Sequence, residues 1–111
     1  MDGFYCAYLT GRNGTGLLLF AIREDTFIGV DAGGIKYDGR IRARPDGSAT
    51  CALTYVIPAG TGLITTSQPL QQEQRIPLEV ELPPNWPNGQ VVGIATPLGP
   101  VNAKFQKLRE W

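Results

Sequence analysis

A stretch of regular alternation between residues 35 and 44 constrains the fold of this chain more than any other feature. In Ile35-Lys36-Tyr37-Asp38-Gly39-Arg40-Ile41-Arg42-Ala43-Arg44, apolar or small residues alternate with charged ones. A side-chain period of two places the apolar set on one face of a strand and the charged set on the other. A strand with one solvated face is typical of antiparallel sheets, because the strands of parallel sheets are usually covered on both faces.

The rest of the chain predicts further short strands separated by turn residues. Asn13-Gly14 lies between two apolar segments, residues 3–11 and 15–23, and is a strong signal for a β-hairpin. Alternation predicts strands over 48–57 and over 76–82, where Pro77 has the outward parity expected near an edge. We also expect strands over 26–31, 61–67, 90–96 and from Val101 onward. Residues 68–74 are predicted as a loop or a single helical turn, and the last residues are ambiguous between strand and helix.

Eight or nine short strands with no convincing helix predict an all-β fold in one domain spanning residues 1–111. Short connections between consecutive strands favour a small antiparallel up-and-down β-barrel of about eight strands. The positions predicted to face the interior are Ile35, Tyr37, Ile41, Leu53, Tyr55, Leu78 and Val80. Bulky side chains are expected to fill that interior and to leave a small cavity or none; these are Tyr5, Tyr8, Tyr37, Tyr55 and Phe105.

Composition excludes several classes of function. The 111 residues include no histidine, which removes the commonest general base and the commonest zinc ligand. Cys6 and Cys51 are far apart in sequence and are expected to be buried thiols rather than a disulfide. Glu79 and Glu81 share an outward parity that indicates a solvated strand rather than a catalytic pair. We therefore predict a protein that is not an enzyme and that uses no cofactor or metal.

Charge and hydropathy predict the partners of the protein and its location in the cell. Its formal net charge is zero, so we expect neither nucleic acid nor a membrane surface among its partners. The first residues lack the basic and apolar blocks of a signal peptide, and the longest apolar run, residues 17–22, is too short to span a bilayer. These observations predict a cytoplasmic protein.

Two surface features are candidates for partner contacts. The outward parity of Arg40, Arg42 and Arg44, with Asp46 in the following turn, predicts a charged stripe that binds a protein partner. Two other interpretations of the stripe stay open, a solvated face opposite Glu79 and Glu81 or a contact for nucleic acid.

The apolar run beginning at Leu17 offers hydrophobic residues to both faces of a strand, more than one interior requires. It predicts a homodimer interface at Leu17, Leu18, Leu19 and Phe20.

The first half of the chain resembles the negative-regulator family of type III secretion, the Grl repressors. The resemblance rests on elements that occur in the order of that family: Asp2-Gly3-Phe4-Tyr5, Gly16 with Phe20, Gly29-Val30-Asp31-Ala32-Gly33-Gly34 and Tyr37-Asp38-Gly39. It implies a lipocalin-like barrel and a dimeric regulator that sequesters a transcriptional activator by protein contact.

Two functional hypotheses follow from the sequence. The first is a non-enzymatic cytoplasmic binding protein of lipocalin-like fold that acts as a negative regulator by sequestering a protein partner. The alternative is a small β-barrel that binds an apolar ligand. The amount of interior space left by the side chains distinguishes them.

Overall fold

The computed structural model describes residues 1–68 and 70–111, and over these residues the chain forms one curled antiparallel sheet of eight strands. The strands are β1 (Gly3–Gly11), β2 (Gly14–Arg23), β3 (Thr26–Asp31), β4 (Lys36–Ala43), β5 (Ala49–Ile57), β6 (Gln74–Leu82), β7 (Asn88–Thr96) and β8 (Gly99–Glu110). The predicted all-β fold is confirmed, and the final residues belong to a strand.

The connectivity is that of an up-and-down barrel opened along one seam. Strands β1 to β6 pair with their sequence neighbours, β8 pairs with both β7 and β1, and β6 and β7 are the two outer strands of the sheet. The β1–β8 ladder joins the N-terminal strand to the C-terminal strand and so makes the sheet curl. Pro77 lies in β6, where an outer strand tolerates the missing backbone donor.

The predicted strand over 61–67 is wrong. These residues belong to the irregular connection between β5 and β6, and Leu63 and Ile64 direct carbonyl oxygens at the β1–β2 hairpin instead of at a neighbouring strand. The prediction for 68–74 falls partly on Pro69, which lies outside the described residues, and Gln74 already belongs to β6.

The interior contains two apolar clusters at opposite ends of the sheet. Aromatic rings dominate the larger one: Phe20 stacks on Tyr5 and Phe27 with ring centroids 5.1 and 4.6 Å apart, and Trp86 packs edge-to-face on Phe105 at 5.4 Å. The smaller cluster consists of Ile35, Tyr55, Ile57 and Leu63. The larger cluster is therefore rich in aromatic rings, whereas the smaller one is mostly aliphatic and contains the single ring of Tyr55, which stacks on Tyr37 at 5.8 Å.

The predicted inward positions are confirmed. Ile35, Ile41, Tyr55 and Val80 are buried, and the other predicted residues pack partly buried against the two clusters; these are Tyr37, Leu53 and Leu78. Tyr8 is an exception to the expected filling of the interior, because its side chain faces outward and is 54% exposed. Cys6 and Cys51 are both free and buried, as predicted.

Two glycines permit the close approach of strands where the sheet curls. A Cβ atom at Gly39 would lie 2.2 Å from the carbonyl oxygen of Ala52, and one at Gly29 would lie 2.7 Å from Cβ of Phe20. Both distances are far below van der Waals contact, so a larger residue would push the strands apart.

Among the described residues, no helix is long and apolar enough to cross a membrane.

Candidate functional sites

The three arginines of the stripe, Arg40, Arg42 and Arg44, differ in their contacts with the rest of the protein. Arg40 and Arg42 point outward and are exposed on β4. Arg44, just beyond the end of β4, makes a 2.9 Å ion pair with Glu81 and also donates to the hydroxyl groups of Ser48 and Thr50. Arg44 is therefore committed to a polar cluster that joins the β4–β5 turn to β6.

Asp46 is also used within that turn. One of its carboxylate oxygens accepts hydrogen bonds from the backbone N–H and the hydroxyl of Ser48, at 2.9 and 2.6 Å. These bonds stabilise the charged form and hold the pKa of Asp46 below its ordinary value. Hydrogen bonds from Thr50 and Arg44 likewise lower the pKa of Glu81. Of the four residues predicted to bind a partner, Arg40 and Arg42 thus present guanidinium groups outward, and Arg44 and Asp46 stabilise the turn.

An apolar surface covers the outside of strands β1, β2 and β3 and extends to Leu108 on β8. Leu19 on β2 lies opposite Cys6 of β1 and Val30 of β3, and the neighbouring row brings together Phe4, Ala21 and Ile28. Leu19 is 50% exposed and Ile28 57%. We call this surface the outer face; its exposed large apolar residues are Phe4, Tyr8, Leu17, Leu19, Ile28, Val30 and Leu108.

The predicted dimer residues fall on both sides of β2. Leu17 and Leu19 belong to the outer face, whereas Leu18 and Phe20 are buried in the interior. Only the first pair is accessible to a second chain. Sequence reasoning identified the strand, and the extension of the apolar surface onto β1 and β3 became visible only through the register.

A cavity of about 260 Å³ lies inside the sheet. Its walls are mostly aliphatic and include Leu18, Leu53, Ile57, Leu78 and Ile94. The prediction was a small cavity or none, and a small cavity is present. Aromatic rings form part of its wall, among them Phe20, Tyr37 and Tyr55.

Residues 61–66, which we call the strap, cross the open end of the sheet above the cavity. Leu63, Ile64 and Thr65 line the cavity. The backbone N–H of Asn13 in the β1–β2 hairpin donates to the carbonyl oxygen of Ile64 at 2.6 Å, and its side-chain amide donates to Leu63 at 3.3 Å. The strap is thus attached to the hairpin on the far side of the opening.

Asp31 organises the β3–β4 turn at the same end of the cavity. Its Oδ1 accepts from the backbone N–H groups of Gly33 and Ile35 at 2.9 and 3.0 Å, and its Oδ2 accepts from the Tyr37 hydroxyl at 3.0 Å. Burial, together with the negative charge of Asp31, raises the pKa of Tyr37. The Gly-x-Asp pattern in the sequence contained this residue, but the pattern does not reveal that Asp31 lines a cavity.

The buried thiol in the cavity wall, that of Cys51, has low nucleophilic reactivity. Burial raises the pKa of the Cys51 thiol to about 12, so the nucleophilic thiolate is scarcely populated near neutral pH. Within residues 1–68 and 70–111, no three His, Cys, Asp or Glu side chains gather as a metal site. The site geometry is suited to holding an apolar molecule.

Comparison of the chain with protein-family models, with curated proteins and with solved structures finds no match.

Proposed function

We propose that this protein is a non-enzymatic cytoplasmic regulator that acts through protein contacts and works as a homodimer. The observation that carries the proposal is the outer face, a contiguous apolar surface across three strands. Exposed apolar patches of this kind mark interaction sites more often than scattered surface hydrophobes do. Resemblance to the Grl repressors supports the same role.

A second copy of the chain is the occupant that best suits the outer face. A shallow apolar groove on this face, formed around Leu19, Ile28 and Val30, is bordered by Lys36 and Asp38 on β4. The two border residues carry opposite charges, so a two-fold axis that sets Lys36 of one copy beside Asp38 of the other forms the same ion pair twice. The dimer contact uses Leu17 and Leu19 and leaves Leu18 and Phe20 in the core.

The regulated partner is expected beside the outer face, at the part of β4 that carries the stripe. Arg40 and Arg42 point outward from β4, and the planar guanidinium group pairs well with carboxylates. We propose that these two residues dock an acidic surface of a protein, with a transcriptional activator as the partner class that the resemblance implies. Dimerisation and partner binding would then use adjoining parts of the outside of the sheet, because Arg40 and Arg42 continue the outward row of Lys36 and Asp38 along β4.

Sedimentation velocity of the wild type and of Leu19→Lys tests the proposed dimer. We expect the wild type to sediment as a dimer at micromolar concentration and the variant as a monomer, because a lysine there would be desolvated in the interface. Ala52→Lys, at an exposed position of β5 outside the outer face, is the matched control and should remain dimeric. A monomeric wild type, or a Leu19→Lys protein that is still dimeric, would reject the proposed interface.

A second candidate function, binding of a small apolar ligand, is favoured by the cavity of about 260 Å³ beneath the strap. Such ligand sites are concave and mostly apolar, with a few polar groups. Mass spectrometry of solvent extracts from the purified protein tests this function directly. An apolar molecule recovered in proportion to the protein, and absent from extracts of a cavity-filling variant, is the expected result.

A further inference from the structure

The chemistry of the cavity wall restricts the charge of any ligand. Of the described residues that line the cavity, none is a lysine or an arginine, and Asp31 is the one with an ionisable carboxyl group. A ligand carboxylate or phosphate would lose its hydration there without gaining a cationic partner, which is costly. The wall therefore disfavours fatty acids and other anionic amphiphiles.

The one carboxyl group is already engaged by the protein. Both oxygens of Asp31 accept hydrogen bonds, from Gly33 and Ile35 on one side and from Tyr37 on the other. A ligand ammonium group would have to compete with these donors or displace the Tyr37 hydroxyl. Asp31 is thus a structural residue of the turn, and the wall offers a cationic ligand little more than it offers an anion.

Weakly polar groups are nevertheless present at the strap end. Thr15 and Thr65 line the cavity there, and each carries a hydroxyl group that can donate or accept. Thr96 also lines the cavity, but its hydroxyl already donates to the carbonyl oxygen of Gly99 at 2.7 Å. A ligand with one hydroxyl or carbonyl group can orient that group toward the strap while the rest of the molecule contacts the aliphatic wall.

The volume of the cavity limits the size of the ligand. An engineered cavity of about 150 Å³ binds benzene, so scaling by volume gives room for about ten non-hydrogen atoms in a cavity of about 260 Å³. A long acyl chain would not fit within this space unless the strap moved away from the Asn13 side of the opening.

We propose that the cavity takes a compact, uncharged and mainly apolar molecule of about ten non-hydrogen atoms, such as a cyclic terpenoid or a substituted phenol. This inference rests on the second candidate function, ligand binding, and specifies its ligand class. Shape and charge together exclude long-chain fatty acids.

Calorimetric titration with three probes of one shape tests the class. Adamantanol, adamantylamine and adamantane carboxylate share a rigid hydrocarbon cage and differ in charge. We expect adamantanol to bind at least about tenfold more tightly than either charged cage, because only the charged groups lose hydration without a new partner. Hexadecanoate, the long-chain probe, should bind more weakly than adamantanol.

Two phenylalanine substitutions on β7 locate the binding site. Ile94→Phe adds a ring to the cavity wall and should abolish adamantanol binding, whereas Val91→Phe adds the same ring at an exposed position of the strand and should not. Circular dichroism of both variants establishes that they are folded. If Ile94→Phe does not fold, Leu78→Phe on β6 fills the same cavity from the opposite outer strand.

Each contrary outcome has a distinct meaning. Preferential binding of adamantylamine would overturn the uncharged class and make Asp31 the recognition group. Preferential binding of adamantane carboxylate or of hexadecanoate would likewise overturn the class, but it would leave ligand binding intact. Failure of the wild type to bind any of the four probes would count against ligand binding itself and would overturn the inference with it.

Discussion

Asn13 and Ile64 are joined by a backbone hydrogen bond of 2.6 Å that links the β1–β2 hairpin to the strap. The two residues are distant in sequence, and their contact places the strap over the cavity. Gly11 lies directly beneath, and a Cβ atom there would be 2.4 Å from the carbonyl oxygen of Ile64. The absence of a side chain at Gly11 is therefore a condition for the strap to lie where it does.

Gly11→Ala should displace the strap. The added methyl group would collide with backbone atoms of Ile64, which cannot rotate away as a flexible side chain can, so the Asn13–Ile64 hydrogen bond should lengthen or break. Hydrogen–deuterium exchange of the Asn13 amide measures the effect, and we expect exchange to be faster by at least about tenfold. Gly16→Ala, where the new Cβ would make ordinary contacts of 3.7 Å with Ile64, is the control. Equal exchange in the two variants would contradict the proposed attachment.

The two tryptophans should differ sharply in their contribution to stability. Trp86 is 3% exposed and contacts Tyr5 and Phe105, with both centroid distances 5.4 Å. Trp86→Ala should lower the free energy of unfolding by about 3–5 kcal/mol, because it empties the aromatic end of the core. Urea denaturation monitored by circular dichroism measures the change.

Trp111 provides the matched control for Trp86. It is 51% exposed, stacks on Phe4 at 4.9 Å and lies under the Arg23 guanidinium at 4.7 Å. Trp111→Ala should cost about 1 kcal/mol or less, as expected for an exposed stacking and cation–π contact. A Trp111→Ala protein as unstable as Trp86→Ala would show that the C-terminal stack is part of the core.

Stability should fall in alkaline solution, partly through Cys51. Its thiol has a pKa raised from 9.0 to about 12 by burial, so the unfolded chain loses this proton before the folded chain does. The contribution of Cys51 is fully present below pH 9.0 and is lost as the pH rises toward 12. The limiting slope is about 1.4 kcal/mol per pH unit for one proton. Cys51→Ala should flatten the dependence of unfolding free energy on pH between 9 and 10, and an unchanged slope would contradict the buried thiol.

Arg40 and Arg42 should affect partner binding without affecting folding. The double variant Arg40→Glu, Arg42→Glu keeps the Arg44–Glu81 ion pair of 2.9 Å and reverses only the exposed charges of the stripe. We expect loss of the protein partner in an affinity pull-down from the native cell, with a change in stability of less than about 1 kcal/mol. Arg12→Glu with Arg75→Glu makes the same charge change at exposed positions elsewhere and should retain the partner. Retention by both variants would make the stripe an ordinary solvated face.

Local pattern was sufficient to predict the strands and their faces. The parity of Tyr37 and Ile41 is decided within β4 itself, because successive side chains of a strand point to opposite sides regardless of what the strand pairs with. The same holds for Tyr55 and Val80, which are inward as predicted. The Asn13-Gly14 signal is equally local, and the predicted hairpin forms with Arg12 and Asn13 between the two strands.

Local pattern failed where the structure depends on distant partners. Residues 61–67 carry apolar and β-branched side chains, yet they form no strand. The carbonyl oxygens of Leu63 and Ile64 accept hydrogen bonds from Asn13, and both residues line the cavity. Arg44 has the same parity as Arg42, but its position beside Glu81 depends on the pairing of β5 with β6. The stripe therefore looks uniform in the sequence and is divided in the structure.

The amino-acid sequence alone thus determined the eight strands of the sheet and the apolar side of β4, β5 and β6, because both follow from a period of two in neighbouring residues. Only the tertiary structure decided how the side chains pack in the space enclosed by the apolar sides of the strands. Pairing of β1 with β8 curls the sheet, and Trp86 packs against Tyr5 in one part of the interior, whereas a cavity remains between aliphatic side chains and the rings of Phe20, Tyr37 and Tyr55. The volume left within the interior depends on side chains from many strands at once, and no short stretch of sequence contains it.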